Sequence, residues 1–260
     1  MEIKLLEKNQ NKVTFVLKGI DHVFANTLRR LMTVEVPTIA IDEVNFYKNS
    51  SPLYDEIVAH RLGLIPLKTD LKSYTLPEEC SCKGEGCAKC KLNITLNCNG
   101  PCTVYSKDLK SQDPKIKPIY DDMPIVKLDK DQQLEFEATA KLGKGKEHIK
   151  FSPALVFFRS YPEIIIKKDI NAAKCVKSCP KDLFEMKDKK ITIKDVTKCD
   201  LCEACVEACG SDAIEIKGSD KDFIFEVEAW GQLSPKEIMD EALNILDEKL
   251  DEFSKQVKSL

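Results

Sequence analysis

Ten of the twelve cysteines of this 260-residue chain fall in two clusters whose spacing suits metal chemistry. Cys199, Cys202, Cys205 and Cys209 follow one another at gaps of two, two and three residues. Three thiolates presented by one tight loop can hold three corners of an iron-sulfur cube, while the cysteine three residues further on is carried to a different site. A zinc site separates its two CxxC arms by a longer hairpin, which these two-residue gaps do not allow comfortably. Upstream, Cys80, Cys82, Cys87 and Cys90 are compact enough for one tetrahedral zinc, and Gly84 and Gly86 permit a tight knuckle. An unoccupied knuckle and an iron site are the alternatives there. Cys98 and Cys102 flank Gly100-Pro101 and read as a buried or hairpin-bridging pair without a ligand role.

Groups for acid-base or nucleophilic catalysis do not converge. The three histidines, His22, His60 and His148, stand isolated and read as structural. No GxSxG, HExxH, paired-carboxylate or P-loop arrangement is present, and the GKGK run at 143–146 lacks Walker spacing, so it reads as a surface turn. Arginine is scarce: Arg29, Arg30, Arg61 and Arg159 are the four among 40 basic residues. Where lysine is the default cation, a retained arginine points to use of its planar fork. A solvated helix face and an interface with a carboxylate-bearing partner are the two readings.

The elements that must position these groups follow from patterning. Val13, Phe15 and Leu17 alternate in a strand over 11–17. Asp21 then caps a helix carrying Phe24, Leu28, Leu31 and Met32, which Pro37 ends. Ser51-Pro52 is expected to open a second helix, through Leu62 and stopping at Gly63. Leu92, Ile94 and Leu96, and later Leu134, Phe136, Ala138 and Ala140, alternate as strands around a loop at 111–124. Ser234-Pro235-Lys236-Glu237 is a capping box. Behind it Met239, Leu243, Leu246, Leu250, Phe253, Val257 and Leu260 form a heptad seam. Packing of this helix on its own domain and completion by a partner helix both remain open, the partner being favoured because the seam runs to Leu260.

Composition bounds the class. The chain is 43% hydrophobic and 32% charged, with a net charge of -3. Charges are spread so evenly that no apolar run approaches the ~18 residues of a membrane span, and the start MEIKLLEKNQ has no signal-peptide stretch. A soluble, cytoplasmic protein of two or three packed units is expected. The acidic balance argues against a dedicated nucleic-acid binder. Twelve thiols in a reducing compartment favour metal or redox work over a disulfide framework.

The Cys199 to Cys209 run resembles the ligand run of bacterial ferredoxins. In a two-cluster ferredoxin an upstream copy supplies the fourth ligand through a cysteine that precedes proline, here Cys179-Pro180. Cys175 matches the third position of that copy, but Asp169 and Ala172 stand where its first two ligands should be. The resemblance therefore implies one complete cluster on Cys179, Cys199, Cys202 and Cys205. A 4Fe-4S form is preferred, with 3Fe-4S if Cys179 is displaced. It also implies a vacated second site where Cys175 and Cys209 lie close enough for a disulfide, a bond expected mainly in a hyperthermophile's cytosol. Leu183-Phe184, Ile191-Ile193 and Ile214-Ile216 supply the apolar pieces of such a unit.

Phe24-Ala25-Asn26-Thr27-Leu28-Arg29-Arg30, Val36-Pro37-Thr38-Ile39-Ala40, Tyr54 to Leu62 and Ile65-Pro66-Leu67 resemble the D-type subunits of archaeal DNA-directed RNA polymerase. That family is the counterpart of the N-terminal region of the bacterial alpha subunit. Gly100-Pro101, Val104 to Lys110 and Leu142 to His148 extend the resemblance over essentially the whole chain. It implies an α+β fold of three parts: a discontinuous dimerisation domain at 1–47, 158–168 and 220–260, an inserted mainly-β domain at 48–157, and a ferredoxin-like iron-sulfur domain at 169–219. It also implies a non-catalytic assembly platform. Subunit L would pair along Met239, Leu243, Leu246, Leu250, Phe253 and Val257, and the large catalytic subunits would dock near Arg29 and Arg30. Small zinc-binding subunits are further partners, and no dominant DNA contact is expected. The competing readings are a ferredoxin-type electron-transfer subunit and a free zinc-dependent nucleic-acid binder.

Overall fold

The computed structural model describes residues 1–167, 172–187 and 190–260. Asp169 and the expected domain boundary at 168/169 lie outside the described residues. Strands β1 (Glu2–Lys8) and β2 (Lys12–Lys18) form an antiparallel hairpin. Helix α1 (His22–Arg30) follows, capped by Asp21, whose Oδ1 accepts from the Phe24 N–H at 2.7 Å. Past Arg30 the helix widens into a π turn over Leu31–Glu35, where the Val36 N–H reaches the Leu31 carbonyl at 3.2 Å, and Pro37 begins the next strand.

Strand β3 (Pro37–Asn49) leads to α2 (Asp55–Gly63). Here the structure departs from the expected start. Ser51 does not cap the helix, because Asn49 recruits it: the Ser51 hydroxyl donates to Asn49 Oδ1 at 2.6 Å, and Asn49 Nδ2 donates to Asp55 Oδ1 at 2.7 Å. This local turn chemistry outcompetes the Ser-Pro helix start, and α2 opens at Asp55 with no side-chain cap.

Strands β4 (Lys91–Asn99), β5 (Cys102–Tyr105), β6 (Lys110–Ser111), β7 (Pro124–Leu128) and β8 (Gln133–Lys144) complete the middle of the chain. They make a four-stranded sheet in the order β3-β8-β4-β6 and a second pair, β5-β7. Leu92, Ile94 and Leu96 of β4 and Leu134, Phe136, Ala138 and Ala140 of β8 are buried together with Ile39, Ile41 and Leu62, so strict alternation becomes one apolar sheet face. Since β3 pairs with β8 from Pro37 to Asn49, the boundary expected at 47/48 falls inside a strand. The GKGK run closes as a turn, with the Glu147 N–H on the Lys144 carbonyl at 2.9 Å.

The remaining elements are β9 (Ala154–Ile166), α3 (Ala172–Ser178), β10 (Phe184–Lys187), β11 (Lys190–Ile193), α4 (Ala204–Cys209), β12 (Ile214–Ala229) and α5 (Pro235–Lys258). The chain folds as two compact units, one of residues 1–8, 13–27 and 157–226 and the other of 9–12, 28–156 and 227–260. In the first, a sheet ordered β1-β2-β12-β9 carries a stacked aromatic core. Phe15 lies 5.3 Å from Phe225, Phe158 lies 5.2 Å from Phe225, and His22 meets Phe158 edge-on at 5.2 Å. The second holds the insert sheets and α5. No helix among the described residues is long and apolar enough to cross a membrane.

Candidate metal centres and interface

The loop that carries the clustered cysteines is shaped by its own residues. Asp195 caps a 3-10 turn at Val196–Lys198, accepting from the Thr197 N–H at 3.0 Å and the Thr197 hydroxyl at 2.6 Å. Leu201 and Glu203 then adopt left-handed φ of 61° and 58°, conformations that side-chain-bearing residues rarely take and that concentrate at functional sites. They curl the chain so that Cys199 and Cys205 are buried, Cys179 is half-buried and Cys202 is exposed. Burial raises the Cys205 thiol, and the neighbouring Cys179, Cys199 and Cys202 add to that rise. Cys199 is raised by burial first. Around them pack Leu183, Phe184, Ile191 and Ile214, with Ile193 and Ile216 partly covered.

Arg159, on β9, grips this loop from outside the motif. Its Nη2 donates to the Thr197 carbonyl at 2.6 Å and its Nη1 to the carbonyl of Cys199. Sequence reasoning did not connect this arginine with the expected cluster cysteines, and its rarity among lysines was the available signal. Arg61, exposed on α2, also uses its guanidinium within the chain, its Nη1 donating to the Ile125 carbonyl at 2.8 Å.

Cys175 on α3 and Cys209 on α4 are joined by a disulfide, S–S 2.05 Å, with Cα atoms 5.6 Å apart. Neither sulfur is free to bind iron in that state. Cys179, Cys199, Cys202 and Cys205 are left as the four thiols of this region.

The upstream cysteines meet a different geometric requirement. Four thiolates ~2.3 Å from a tetrahedral zinc must stand about 3.8 Å from one another. Cys80 and Cys87 sulfurs lie 3.5 Å apart, Cys82 and Cys90 3.5 Å, and Cys87 and Cys90 3.9 Å, with all four inside 4.8 Å of one another. Among the described residues this is the one group tight enough for a single ion. The knuckle is made by Gly84 and Gly86, at φ of 86° and 103°, and the Cys87 N–H donates to Cys90 Sγ at 3.3 Å. The Cys82 N–H and the Thr75 hydroxyl, both bonding to Cys80, bring that thiol down to about 6, and the Gly86 N–H lowers Cys82. Burial drives Cys90 up to about 12, a cost that a cation would offset. Thr75, upstream of the cysteine cluster, had no motif to mark it.

The seam residues lie outward. Helix α5 buries Pro235, Ile238 and Ala242, and Lys249 reaches Glu35 at 2.9 Å. Met239 and Leu246 are half-buried, whereas Leu243, Leu250, Phe253 and Val257 are exposed, Phe253 by 65%. On the same unit Arg29 lines a cleft of about 640 Å³ with Leu64, Tyr120, Leu155, Trp230 and Gln232. Gln232 Oε1 is buried there without a hydrogen-bond partner. Arg30 is exposed beside it on the chain.

These features coincide with known sequence families. Residues 34–154 match the RNA polymerase Rpb3/RpoA insert domain, and residues 170–214 match a 4Fe-4S dicluster domain. The DNA-directed RNA polymerase subunit Rpo3 of Archaeoglobus fulgidus is 41% identical, over 100% of this chain and 98% of that protein. The Rpo3 subunits of Methanosphaera stadtmanae and Pyrococcus horikoshii are 40% and 38% identical, covering 96% and 100% of this chain and 96% and 99% of theirs. With an insert sheet, an iron-sulfur-type domain and full-length identity of this order, the chain belongs to the Rpo3 family of DNA-directed RNA polymerase subunits.

Proposed function

We propose that the chain is a non-catalytic assembly platform of DNA-dependent RNA polymerase in which α5 pairs with subunit L, the Arg29-Arg30 region docks the large catalytic subunits, and small zinc-binding subunits join the same scaffold. The observation that carries this reading is the seam of α5: four large apolar side chains at heptad spacing are exposed in the isolated chain, as expected of half a helix-helix interface. The cleft beside Arg29, with its unpaired Gln232 acceptor, suits a partner segment that brings an apolar side chain and an N–H donor.

The dimerisation part comprises 1–47, 158–168 and 220–260, the insert 48–157 and the cluster domain 169–219, with β3 shared in its pairing between the first two. Cys179, Cys199, Cys202 and Cys205 hold one iron-sulfur cluster, four-iron in its complete form. When bound, it supplies four iron-thiolate bonds that tie the loop to the Cys179 segment and a centre able to exchange one electron. Cys80, Cys82, Cys87 and Cys90 hold zinc. An electron-transfer role would call for a relay, and the two remaining cysteines of that domain are bonded to each other.

Co-expression of the tagged chain with untagged L and a large subunit tests this. Wild type captures both. Phe253→Glu, on an exposed position, leaves the fold intact and weakens L capture by about 2 kcal/mol or more, some thirtyfold, as for an interface anchor. Undiminished capture, or none by the wild type, overturns the reading.

A further inference from the structure

The two cysteines that neither metal site uses stand at the junction of β4 and β5. Cys98 is the penultimate residue of β4 and faces Leu134 of β8, while Cys102 opens β5 opposite Leu128 of β7. Their sulfurs are 3.5 Å apart. Both are half-buried, packed against the apolar core of the insert yet within reach of solvent.

The connecting loop holds them in place. The Gly100 N–H donates to the Gln132 carbonyl at 2.8 Å, and a Cβ at Gly100 would lie 2.0 Å from the Asp129 carbonyl oxygen, so only glycine lets the loop approach this closely. Cys102 Sγ also lies 3.5 Å from the Asn99 carbonyl. Two thiols fixed in van der Waals contact need close only about 1.5 Å to reach bonding distance, which side-chain rotation supplies.

We infer that Cys98 and Cys102 form a reversible dithiol-disulfide site, separate from both metal centres, that reacts with small-molecule disulfides by thiol exchange. The Cys102 thiolate attacks one sulfur of the oxidant RSSR, forming a mixed disulfide and expelling RS⁻. Cys98, as its thiolate, then attacks Cys102 Sγ and expels the second RS⁻. Two protein thiols lose two protons and two electrons, RSSR takes up both, and one S–S bond replaces another. Cys102 Sγ lies at the exposed Asn99 carbonyl whereas Cys98 pairs with the fully buried Leu134, and that burial pushes the Cys98 thiol up to about 11, so Cys102 takes the attack and Cys98 the resolving step. Ring closure staples the connection between β4 of the four-stranded sheet and β5 of the β5-β7 pair, and involves neither the knuckle nor the cluster loop.

The test uses the full-length chain, metal-loaded and kept anaerobic, with glutathione disulfide as oxidant, iodoacetamide quenching and tryptic mass mapping. Cleavage after Lys91 and Lys107 places Cys98 and Cys102 in one peptide without other cysteines. The expected result is a peptide lighter by two hydrogens, with both alkylation tags lost and both regained after dithiothreitol. In Cys98→Ser, Cys102 is expected to accumulate a stable glutathione adduct, since nothing resolves it. A wild-type peptide that stays doubly alkylated, or that stops at the mixed adduct, overturns the proposal. So does a Cys98→Ser chain whose Cys102 remains unmodified, while Cys102→Ser distinguishes a reversed order of attack, which would overturn the assigned roles.

Discussion

At the scale of single residues, the iron-sulfur loop depends on a side chain outside its motif. Arg159 donates from both arms of its fork to carbonyls at Thr197 and Cys199, the stretch that carries the buried Cys199 thiol proposed as a ligand. A hydrogen bond from a charged donor contributes about 1.5–3 kcal/mol. Arg159→Ala should therefore speed iron release to a chelator about tenfold or more, followed by loss of visible absorption, and Arg159→Lys should recover part of the effect by keeping one contact. An unchanged release rate would remove the clamp role. The motif cysteines were legible because ligand spacing is a local property. Arg159 was not, since it lies 38 residues from Thr197 and meets it only through the fold. Thr75, close to Cys80 in sequence and bonding its thiol, was hidden because no ligand-spacing pattern includes a threonine.

At the scale of elements, two local devices carry predictions. In α5 the Ser234 N–H donates to Glu237 Oε2 at 2.8 Å, and Ser234 Oγ accepts from the Glu237 N–H at 3.3 Å. Ser234→Ala should cost about 1 kcal/mol, seen as a lower denaturation midpoint of the isolated chain. The bulge in β3 between Ile41 and Glu43 turns Asp42 toward Lys141 at 2.8 Å and Lys150 at 2.6 Å. Burial alone would raise the Asp42 carboxyl, but hydrogen bonds from these two lysines outweigh it and hold it below the ordinary 3.8. A carboxyl depressed in the folded state contributes stability above its unfolded value, and that contribution disappears as pH falls through the lower folded value. Asp42→Asn should cost about 1 kcal/mol at neutral pH and flatten the loss of stability below pH 4, measured by urea titration; an unchanged acid limb would refute it. Element types followed from periodicity at β2, α1, β4, β8 and α5. The start of α2 did not, because Asn49 accepts from the Ser51 hydroxyl and donates to Asp55, a turn chemistry that no hydrophobic period encodes.

At the scale of the whole molecule, the chain combines two kinds of self-sufficiency. The insert sheets have an apolar core of their own, whereas the cluster domain packs a small core in which Cys175, Cys199 and Cys205 themselves are buried members. A unit this small gains much of its folding energy from metal ligation or cross-links. Cys202→Ser should abolish the visible absorption and raise proteolysis within 172–214, while L capture through α5 is retained. Loss of L capture in the same variant would make the cluster part of the platform itself, and an intact, protected domain would remove its role as a staple.

Ligand spacing among the cysteines and the heptad seam of α5 were both readable from the order of residues alone. Each of these is written in residue type and short-range period, so local reading reaches it. Which face of α5 is covered was set by packing. The helix turns Ile238 and Ala242 inward and leaves Phe253 and Val257 exposed. Tertiary structure also decided that Arg159 holds the cluster loop, that Asp42 bridges two lysines, and that Cys98 and Cys102 touch. The physical reason is common to all four: burial, clamping, ion pairing and sulfur contact depend on distances across the fold, and residue type fixes what a group can do while only packing determines what it meets.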